Sequence, residues 1–409
     1  MEKRKGFKSR NLNSNALFYA DDSLQLSHSL EEASANIRAL VEISKECGLE
    51  INKEKSQVII HNADQVPDSV EGIQVTDKIK YLGLTITNKK DIFKEQKDNM
   101  ISKAQKLANM TFSVIAKSCH KITIGKTYWK SVCLPSILYG SSILNLTETE
   151  INKLQAIENS VYRQILGAPK YAQICTLRGE VGASSMKTRI MEGRFMYLKS
   201  IIQPYTTLTP ENEIRQENNR NDLLKEILRR TRYGYLSWMK TTKKYFDLTK
   251  ITFEDIEKLE SKEIKERLNA WDTEQWKNEL HAKSSLKIYK EYKNKIFSEQ
   301  ELYDNSPASV TLYKARTNNL NLNIRRKFQN EDTACIMCDA AEEDLEHFVL
   351  HCPGYGSLRA AAALPALQRP LPEDCTHTMG TILFTQAEQH KQLLHKMWTT
   401  REKKRNNCD

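Results

Sequence analysis

Residues 16–27 contain two short, largely apolar runs on either side of an acidic pair. The first run is Ala16–Ala20, the second is Ser23–Ser27, and Asp21 and Asp22 lie between them. In the second run apolar and polar residues alternate, which is the period of a half-buried strand. Short runs of this kind joined by a brief polar segment are typical of a β-hairpin. We therefore expect two strands that carry an acidic turn at their tip.

A helix is predicted to follow this hairpin. Ser29 and Glu32 have the spacing of a capping box, in which each side chain bonds the backbone of the other residue. Gly48 is suited to end the helix because glycine readily adopts a left-handed conformation. Further extended pieces are predicted at 49–51, 57–60, 73–75 and 81–86. The first 90 residues thus read as a small sheet that carries at least one helix.

Beyond residue 90 the apolar positions change to a helical period. Two sets show this spacing: Ile101, Ala104, Ala108, Thr111 and Ile115, and then Ile151, Leu154, Ile157, Val161 and Ile165. Gly167 follows the second set and is expected to end its helix. Residues 205–225 are polar and rich in Asn and Glu, which predicts a surface linker. Residues 221–305 are highly charged and favour helix.

Composition narrows the class of protein. The chain has 409 residues, a net charge of +10 and a pI of about 9.0. A basic chain of this size suggests nucleic acid or another polyanion as partner. It has no apolar run of membrane-spanning length, and the charged Met1–Arg10 segment does not read as a secretory signal. The nine cysteines are mostly scattered, which argues for a reducing, intracellular compartment rather than a disulfide scaffold.

The acidic pair has a possible chemical role. Carboxylate oxygens are ligands that Mg²⁺ prefers, and two divalent metals can hold the attacking and leaving oxygens in nucleotidyl transfer. Because adjacent strand residues point to opposite faces, a tight turn would be needed to bring Asp21 and Asp22 to one site. The alternative is an ordinary surface turn, since Asp is common in turns.

Three segments in order resemble the palm of reverse transcriptases, most closely those of LINE-type (non-LTR) retrotransposons. They are the Tyr19-Ala20-Asp21-Asp22 box, the segment from Gly48-Leu49 through Asn52 to Lys55-Ser56, and Tyr81-Leu82-Gly83. The resemblance implies that Asp21 and Asp22 are palm carboxylates of the metal site. It also implies that Tyr19 and Ala20 lie beside the primer terminus and incoming nucleotide.

The same resemblance implies roles for the later segments. Lys55 would lie near the triphosphate, and Tyr81 to Gly83 would contact the primer strand. The alternatives are a solvated strand-edge charge for Lys55 and a core position for Tyr81. The implied cofactor of such a site is Mg²⁺, and the implied partners are element RNA and target DNA.

The family also requires a third carboxylate on an earlier palm strand. Only 18 residues precede Tyr19, and none of them is Asp. We therefore expect a truncated polymerase, or an incomplete gene product, that does not synthesise DNA alone and whose sheet edge needs a partner. The alternative is a non-catalytic nucleic-acid-binding zinc protein derived from a retrotransposon. The segment Leu177–Gly182 also resembles a piece of these elements, in a thumb-like region that would grip duplex phosphates.

Four metal-ligating residues cluster near the C-terminus. Cys335 and Cys338 form a Cys-x-x-Cys pair, and His347 and Cys352 follow at a spacing that could complete a tetrahedral zinc site. A set of buried or redox-active thiols is the alternative, and His351 competes with His347. The Glu-His-Phe and Cys-Pro pattern around His347 and Cys352 resembles LINE-type C-termini, which favours His347.

Basic residues flank this cluster and could contact RNA. They are Arg316, Arg325, Arg326 and Lys327 before it, and Arg359 and Arg401 after it, with the aromatic Trp398 in the same basic tail as Arg401. The alternative is that these charges only keep the surface soluble.

The expected fold class is α+β. It comprises a partial reverse-transcriptase palm (1–90), a helical thumb-like region (91–204), a charged helical linker region (205–307) and a zinc-knuckle-like module with a basic tail (308–409). We expect a nuclear or cytoplasmic ribonucleoprotein.

Overall fold

The computed structural model describes residues 7–9, 12–14, 16–116, 120–202, 238–297, 303–304, 306–367, 371–385 and 388–407. It is a mixed α/β structure that is mainly helical, with small sheets. The strands in these ranges are β1 (Phe7–Ser9), β2 (Leu12–Ser14), β3 (Ala16–Tyr19), β4 (Asp22–Gln25), β5 (Gln57–Val58), β6 (Ser69–Val70), β7 (Ile73–Val75), β8 (Lys78–Tyr81) and β9 (Leu84–Thr87). The predicted linker at 205–225 lies outside the described residues.

The strands form separate small sheets within the described ranges. β1 pairs with β2, β3 with β4 and β8 with β9, each antiparallel, while β7 pairs parallel with β5 and antiparallel with β6. The single palm-like sheet expected from the sequence is therefore not what these strands build. The reason is local, because each strand has only two to four residues and most pair with their neighbour across a short turn.

The helices are α1 (Leu30–Glu46), α2 (Lys94–Ala116), α3 (Lys121–Tyr128), α4 (Leu134–Leu138), α5 (Glu148–Leu166), α6 (Ile174–Val181), α7 (Met186–Ile202), α8 (Trp238–Thr249), α9 (Phe253–Lys258), α10 (Ser261–His281), α11 (Lys287–Tyr292), α12 (Pro307–Arg316), α13 (Gly356–Ala362), α14 (Thr376–Phe384) and α15 (Glu388–Asn406). None of the described helices is long and apolar enough to span a bilayer.

The ends of α1 follow the sequence signals. The Ser29 hydroxyl accepts a hydrogen bond from the Glu32 amide, which caps the helix as predicted. The other half of the predicted capping box differs, because the Glu32 carboxylate accepts from the backbone amide of His28 rather than of Ser29. At the other end Gly48 has a φ of +71°, and the Leu49 amide donates to the Ser44 carbonyl over 2.8 Å. This is the bonding of a Schellman cap. Because the Leu49 amide bonds within this cap, it does not pair with a neighbouring strand. The strand predicted at 49–51 is therefore absent there.

The two periodic segments after residue 90 are confirmed as helices. In α2 the buried face includes Ala104, Ala108 and Ile115. In α5 it includes Leu154 and Val161. Gly167, with a φ of +61°, follows the end of α5 as expected.

The chain divides into two compact units, each assembled from several segments. One unit comprises Met1–Lys103, Ile137–Ile151 and Arg189–Arg267, and the other comprises Ala104–Ser136, Asn152–Thr188 and Leu268–Asp409. Each unit thus combines sequence-distant segments. The division into four consecutive domains stays a prediction.

The Leu177–Gly182 segment lies in the interior of the second unit. Arg178 donates to Asp272 over 2.7 Å, and both side chains are buried. Gly179 leaves no room for a side chain, because an added Cβ would lie 2.6 Å from the Tyr289 hydroxyl. Gly182 ends α6 with a φ of +69°. The residues of this motif are therefore fixed by packing and ion pairing in the interior.

Glu180 is the centre of a buried ionic cluster in the same unit. It accepts hydrogen bonds from the Tyr289 and Tyr303 hydroxyls and lies 3.7 Å from the Lys293 ammonium and 3.4 Å from the Arg316 guanidinium. Burial raises the pKa of this carboxyl, but the two cations and two phenols outweigh it and hold the pKa below its usual value. The cluster therefore keeps Glu180 charged inside the protein.

The C-terminal core of the second unit surrounds the Cys/His segment. Helix α12 packs against α15, and α11 packs against α14. Phe348, Leu383, Leu394 and Met397 are fully buried in this core. The Cys/His cluster is thus embedded in a helical core.

Candidate active site and metal centre

The acidic hairpin forms as the sequence predicts. Strands β3 and β4 pair so that Tyr19 lies opposite Asp22, and Ala20 and Asp21 make the two-residue turn between them. Both Asp side chains are exposed. The turn therefore presents two neighbouring carboxylates to solvent at the tip of the hairpin.

The backbone at this tip is strained. Ala20 has a φ of +51°, a left-handed conformation that costs a non-glycine residue about 1–3 kcal/mol. Glycine at this position would remove most of that cost. A positive φ is also what a two-residue hairpin turn requires, so the turn itself accounts for this conformation.

Large apolar side chains of β3 are unusually open to solvent. Phe18 is 61% exposed and Tyr19 is 65% exposed, and Leu17 is also exposed. Among the described residues, no third Asp, Glu, His or Cys joins Asp21 and Asp22 in a cluster able to hold a metal ion. The described site therefore offers two carboxylates and an uncovered aromatic surface.

The Asn-x-x-Lys-Ser segment folds into one tight turn. The Asn52 side chain accepts a hydrogen bond from the Lys55 amide over 3.0 Å, and the Asn52 carbonyl accepts one from the Ser56 hydroxyl over 2.8 Å. Lys55 is exposed. The turn thus fixes the backbone of Lys55 and leaves its ammonium group accessible.

Tyr81 and Gly83 belong to a second hairpin, β8–β9. Leu82 and Gly83 form its turn, with φ values of +46° and +78°, as a type I′ hairpin requires. The Tyr139 hydroxyl donates to the Leu82 carbonyl over 2.7 Å, and an added Cβ on Gly140 would lie 2.5 Å from Leu84. Two motifs far apart in sequence therefore meet here. Tyr81 is half-buried and Gly83 is exposed.

The four predicted metal ligands come together in the second unit. Their ligand atoms, from Cys335, Cys338, His347 and Cys352, all lie within 4.8 Å of one another. The Cys335 and Cys352 sulfurs are 3.7 Å apart, and the Cys338 sulfur is 3.3 Å from His347 Nε2. Tetrahedral zinc with ordinary bond lengths holds two sulfurs about 3.8 Å apart and a sulfur and a nitrogen about 3.6 Å apart. The donor set and its spacing therefore fit a four-ligand zinc ion.

Local backbone structure places these ligands. Cys335 and Cys338 flank a turn in which the Met337 amide points at the Cys335 sulfur over 3.4 Å. His347 begins a π-helical turn, His347–His351, and the Cys352 amide donates to the His347 carbonyl over 2.8 Å. The wide turn brings His347 and Cys352 to one site. Such turns recur at functional sites.

Burial sets the protonation of the ligands before a metal binds. It raises the pKa of the Cys335 thiol, and burial together with the neighbouring thiols raises that of Cys352. Burial also lowers the pKa of His347. The Cys335 and Cys352 thiols are therefore neutral at pH 7, so that a metal must displace their protons when it binds.

A buried ion pair lies next to this cluster. Arg401 donates to both carboxylate oxygens of Glu343 over 2.8 and 2.6 Å, and Glu343 Oε1 lies 3.9 Å from the Cys335 sulfur. The Glu343 carboxylate also accepts a hydrogen bond from the backbone amide of Asn323 over 2.9 Å. Groups in this position orient the ligands that they contact. Arg401 thus connects α15 to the candidate zinc centre.

The structure corrects the expectation for three of the basic residues. Arg359 is buried and donates to the Val349 and Cys352 carbonyls. Arg316 is buried against Glu180, and Arg401 is buried against Glu343, so neither guanidinium is presented to a phosphate. In both cases an acidic residue far along the sequence, invisible to local charge patterning, is the partner.

The other predicted basic residues lie differently. Arg325 is half-buried, donates to the Leu320 carbonyl over 3.0 Å and stacks on the Tyr171 ring. Arg326 is exposed, and Lys327 is exposed and paired with Glu342 over 2.9 Å. The accessible charge beside the cluster is therefore carried by Arg326 and Lys327.

One comparison with known proteins matches the first unit. Residues 3–86 match the protein-family model for reverse transcriptase (RNA-dependent DNA polymerase). This stretch supports a reverse transcriptase domain. The match includes the Asp21-Asp22 hairpin, the Lys55 turn and the Tyr81–Gly83 hairpin. No curated protein matches the chain.

Sequence reasoning missed some residues that the structure brings into these sites. Glu343 was not singled out, although it is fully buried beside Cys335. A Glu eight residues after the first cysteine carries no local signal of burial. Tyr139 was not singled out either, although its hydroxyl donates to the Leu82 carbonyl and anchors that turn. Only tertiary structure brings these pairs together.

Proposed function

We propose that this protein takes part in RNA-directed DNA synthesis by a LINE-type (non-LTR) retrotransposon. The main observation in support is that the family match over residues 3–86 includes an exposed, strained hairpin bearing Asp21 and Asp22. The two carboxylates hold divalent metal together with the oxygens of the incoming triphosphate. Lys55 neutralises triphosphate charge, and Tyr19 offers an exposed ring beside the nucleotide.

The metal ions supply the clamp on the attacking and leaving oxygens in this family of reactions. The chain itself contributes the position of the ligands, which the two-residue turn and its positive φ at Ala20 fix. Tyr81 and Gly83 contact the primer strand. With two carboxylates at the hairpin, we expect the isolated chain to bind metal–nucleotide without extending a primer.

Manganese–deoxynucleotide binding, followed by electron paramagnetic resonance on the full chain, tests the site without requiring turnover. We expect Asp21→Asn to weaken binding at least tenfold. Asp64→Asn, which removes an exposed acid within the same family match, should leave it unchanged. Equal binding by wild type and Asp21→Asn would contradict the proposed site. Template-dependent primer extension that Asp21→Ala abolishes would support the site but contradict the expected inactivity.

A second candidate function is nucleic-acid binding by the Cys/His module without chemistry. The observation that favours it is that the ligand atoms of Cys335, Cys338, His347 and Cys352 all lie within 4.8 Å of one another, with Arg326 and Lys327 exposed nearby in sequence. In this proposal Zn²⁺ orders the segment, and the exposed cations contact the phosphates of element RNA or target DNA without reading sequence.

The salt dependence of RNA binding tests this second function. Replacing both cations (Arg326→Gln with Lys327→Gln) should reduce the slope of log affinity against log salt by about 1–2. Replacing the exposed Lys277 and Lys283 by Gln makes the same charge change and serves as the control. A slope that falls equally in both double variants would show a general charge effect and contradict a local interface.

A further inference from the structure

Three more metal-ligating side chains meet beside the candidate zinc centre, at the far end of the same π-helical turn. Glu346 precedes the turn, His351 ends it, and Cys375 lies immediately before α14. Their ligand atoms all lie within 4.8 Å of one another. His351 Nε2 is 3.3 Å from Glu346 Oε1 and 3.8 Å from the Cys375 sulfur. None of the three belongs to the four-ligand set.

These distances are those of ligands around one ion. A tetrahedral zinc with ordinary bond lengths separates an imidazole nitrogen and a carboxylate oxygen by about 3.4 Å, and a nitrogen and a sulfur by about 3.6 Å. The observed 3.3 and 3.8 Å differ from these values by about 0.2 Å or less. Sulfur, nitrogen and carboxylate oxygen are also the three donor types that zinc takes in proteins.

The backbone explains why Glu346 and His351 converge although they are five residues apart. In an ordinary α-helix, residues i and i+5 do not share a face, whereas the wider π turn between them brings them into register. The same turn directs His347 to the four-ligand set of three cysteines and one histidine. One local distortion therefore supplies a ligand to each of two clusters. This explains why both His347 and His351 are candidate ligands when only the sequence is considered.

Exposure differs across the three groups. Cys375 is buried, whereas the side chains of His351 and Glu346 are 42% and 50% exposed. An ion held here would have protein ligands on one side and water on the other. Three protein ligands with an open fourth position differ from the closed arrangement of a structural four-ligand site.

We propose that Glu346, His351 and Cys375 form a second zinc site with one solvent-accessible coordination position. The ion would tie the π turn to the start of α14, and it would exchange more readily than the ion of the buried four-ligand centre. This site stands independently of any role in polymerisation.

Metal stoichiometry of the full chain tests the proposal. After zinc loading and dialysis, we expect the wild-type chain to retain about one equivalent more than His351→Asn or Cys375→Ser. Because the His351 side chain is exposed, we expect His351→Asn to fold, so it tests the site even if Cys375→Ser misfolds. Cys47→Ser, which removes an exposed cysteine elsewhere, is the matched control and should retain the wild-type amount. When cobalt replaces zinc, the thiolate-to-cobalt charge-transfer absorption should be weaker in Cys375→Ser, because one thiolate ligand is lost.

Cys338→Ser separates the two centres. It should lose the four-ligand ion and keep the equivalent that His351→Asn loses, so that failure of one site is distinguished from failure of the other. Equal metal content in the wild type, His351→Asn and Cys375→Ser would overturn the second site. Loss of all metal from His351→Asn as well as from Cys338→Ser would also overturn it, because one centre would then account for all the binding.

Discussion

The ion pair between Arg401 and Glu343 should be essential to the candidate zinc centre. Both side chains are essentially buried, at 1% and 0% exposure, and Arg401 makes two hydrogen bonds to the carboxylate. Arg401→Met keeps an apolar stem of similar length but leaves Glu343 buried with the Asn323 amide and the Cys335 thiol as its remaining neighbours. Removing one member of a buried pair costs about 3–5 kcal/mol.

That cost can be checked against its neighbour on the same helix. Arg405 is 34% exposed and lies 3.9 Å from Glu402, so Arg405→Met should cost less than about 1 kcal/mol. A loss of 3 kcal/mol corresponds to more than a hundredfold change in the unfolding equilibrium. The two substitutions are chemically identical, so the difference between them reports the buried contacts of Arg401, which include Asn323 and the Trp398 ring as well as Glu343.

Cobalt-loaded full chain in urea is the assay, with the cobalt–thiolate absorption as the local signal. A local probe is needed because the chain has two compact units, whose unfolding a global signal would mix. We expect Arg401→Met to release cobalt at markedly lower urea, and the further change Glu343→Gln to recover part of the loss. Free energies of unfolding for Arg401→Met and Arg405→Met that coincide within about 0.5 kcal/mol would refute the reasoning.

Two further predictions concern protons and packing. Burial raises the pKa values of the Cys335 and Cys352 thiols, so their protons must leave when zinc binds. Zinc affinity should therefore rise with pH, up to about tenfold per unit for each proton displaced, and chelator competition near neutral pH that shows no pH dependence would contradict this. Gly179→Ala should cost about 1–3 kcal/mol, because its Cβ would lie 2.6 Å from the Tyr289 hydroxyl. Gly356→Ala in the same unit, with nothing within 4 Å of the added Cβ, should be neutral or stabilising in thermal unfolding, and equal losses would contradict the packing argument.

Sequence patterns predicted the local structure well where the interactions are local. The Asp21-Asp22 hairpin, the Ser29 cap and the apolar face of α5 depend on neighbours within a few residues. The Cys/His set was also found from sequence, because metal-ligand spacing is itself a local signal.

The long-range partnerships could not be predicted in the same way. The local sequence around Arg316 predicts an accessible basic residue. In the structure its guanidinium instead lies next to Glu180, 136 positions away in sequence. The π turn that separates His347 from His351 has no composition of its own that marks it. Distant partners and backbone distortions are decided by tertiary packing, which overrides local preference.

The burial of Arg401 changes how mutational decay of this sequence would be read. A premature stop codon just before position 401 would leave all four ligands of the zinc centre in the reading frame. It would nevertheless leave the fully buried Glu343 without its counter-charge. Among diverged copies of such a gene, the intact Cys/His motif is therefore an incomplete sign of a working module, and the codon for Arg401 should be counted with it.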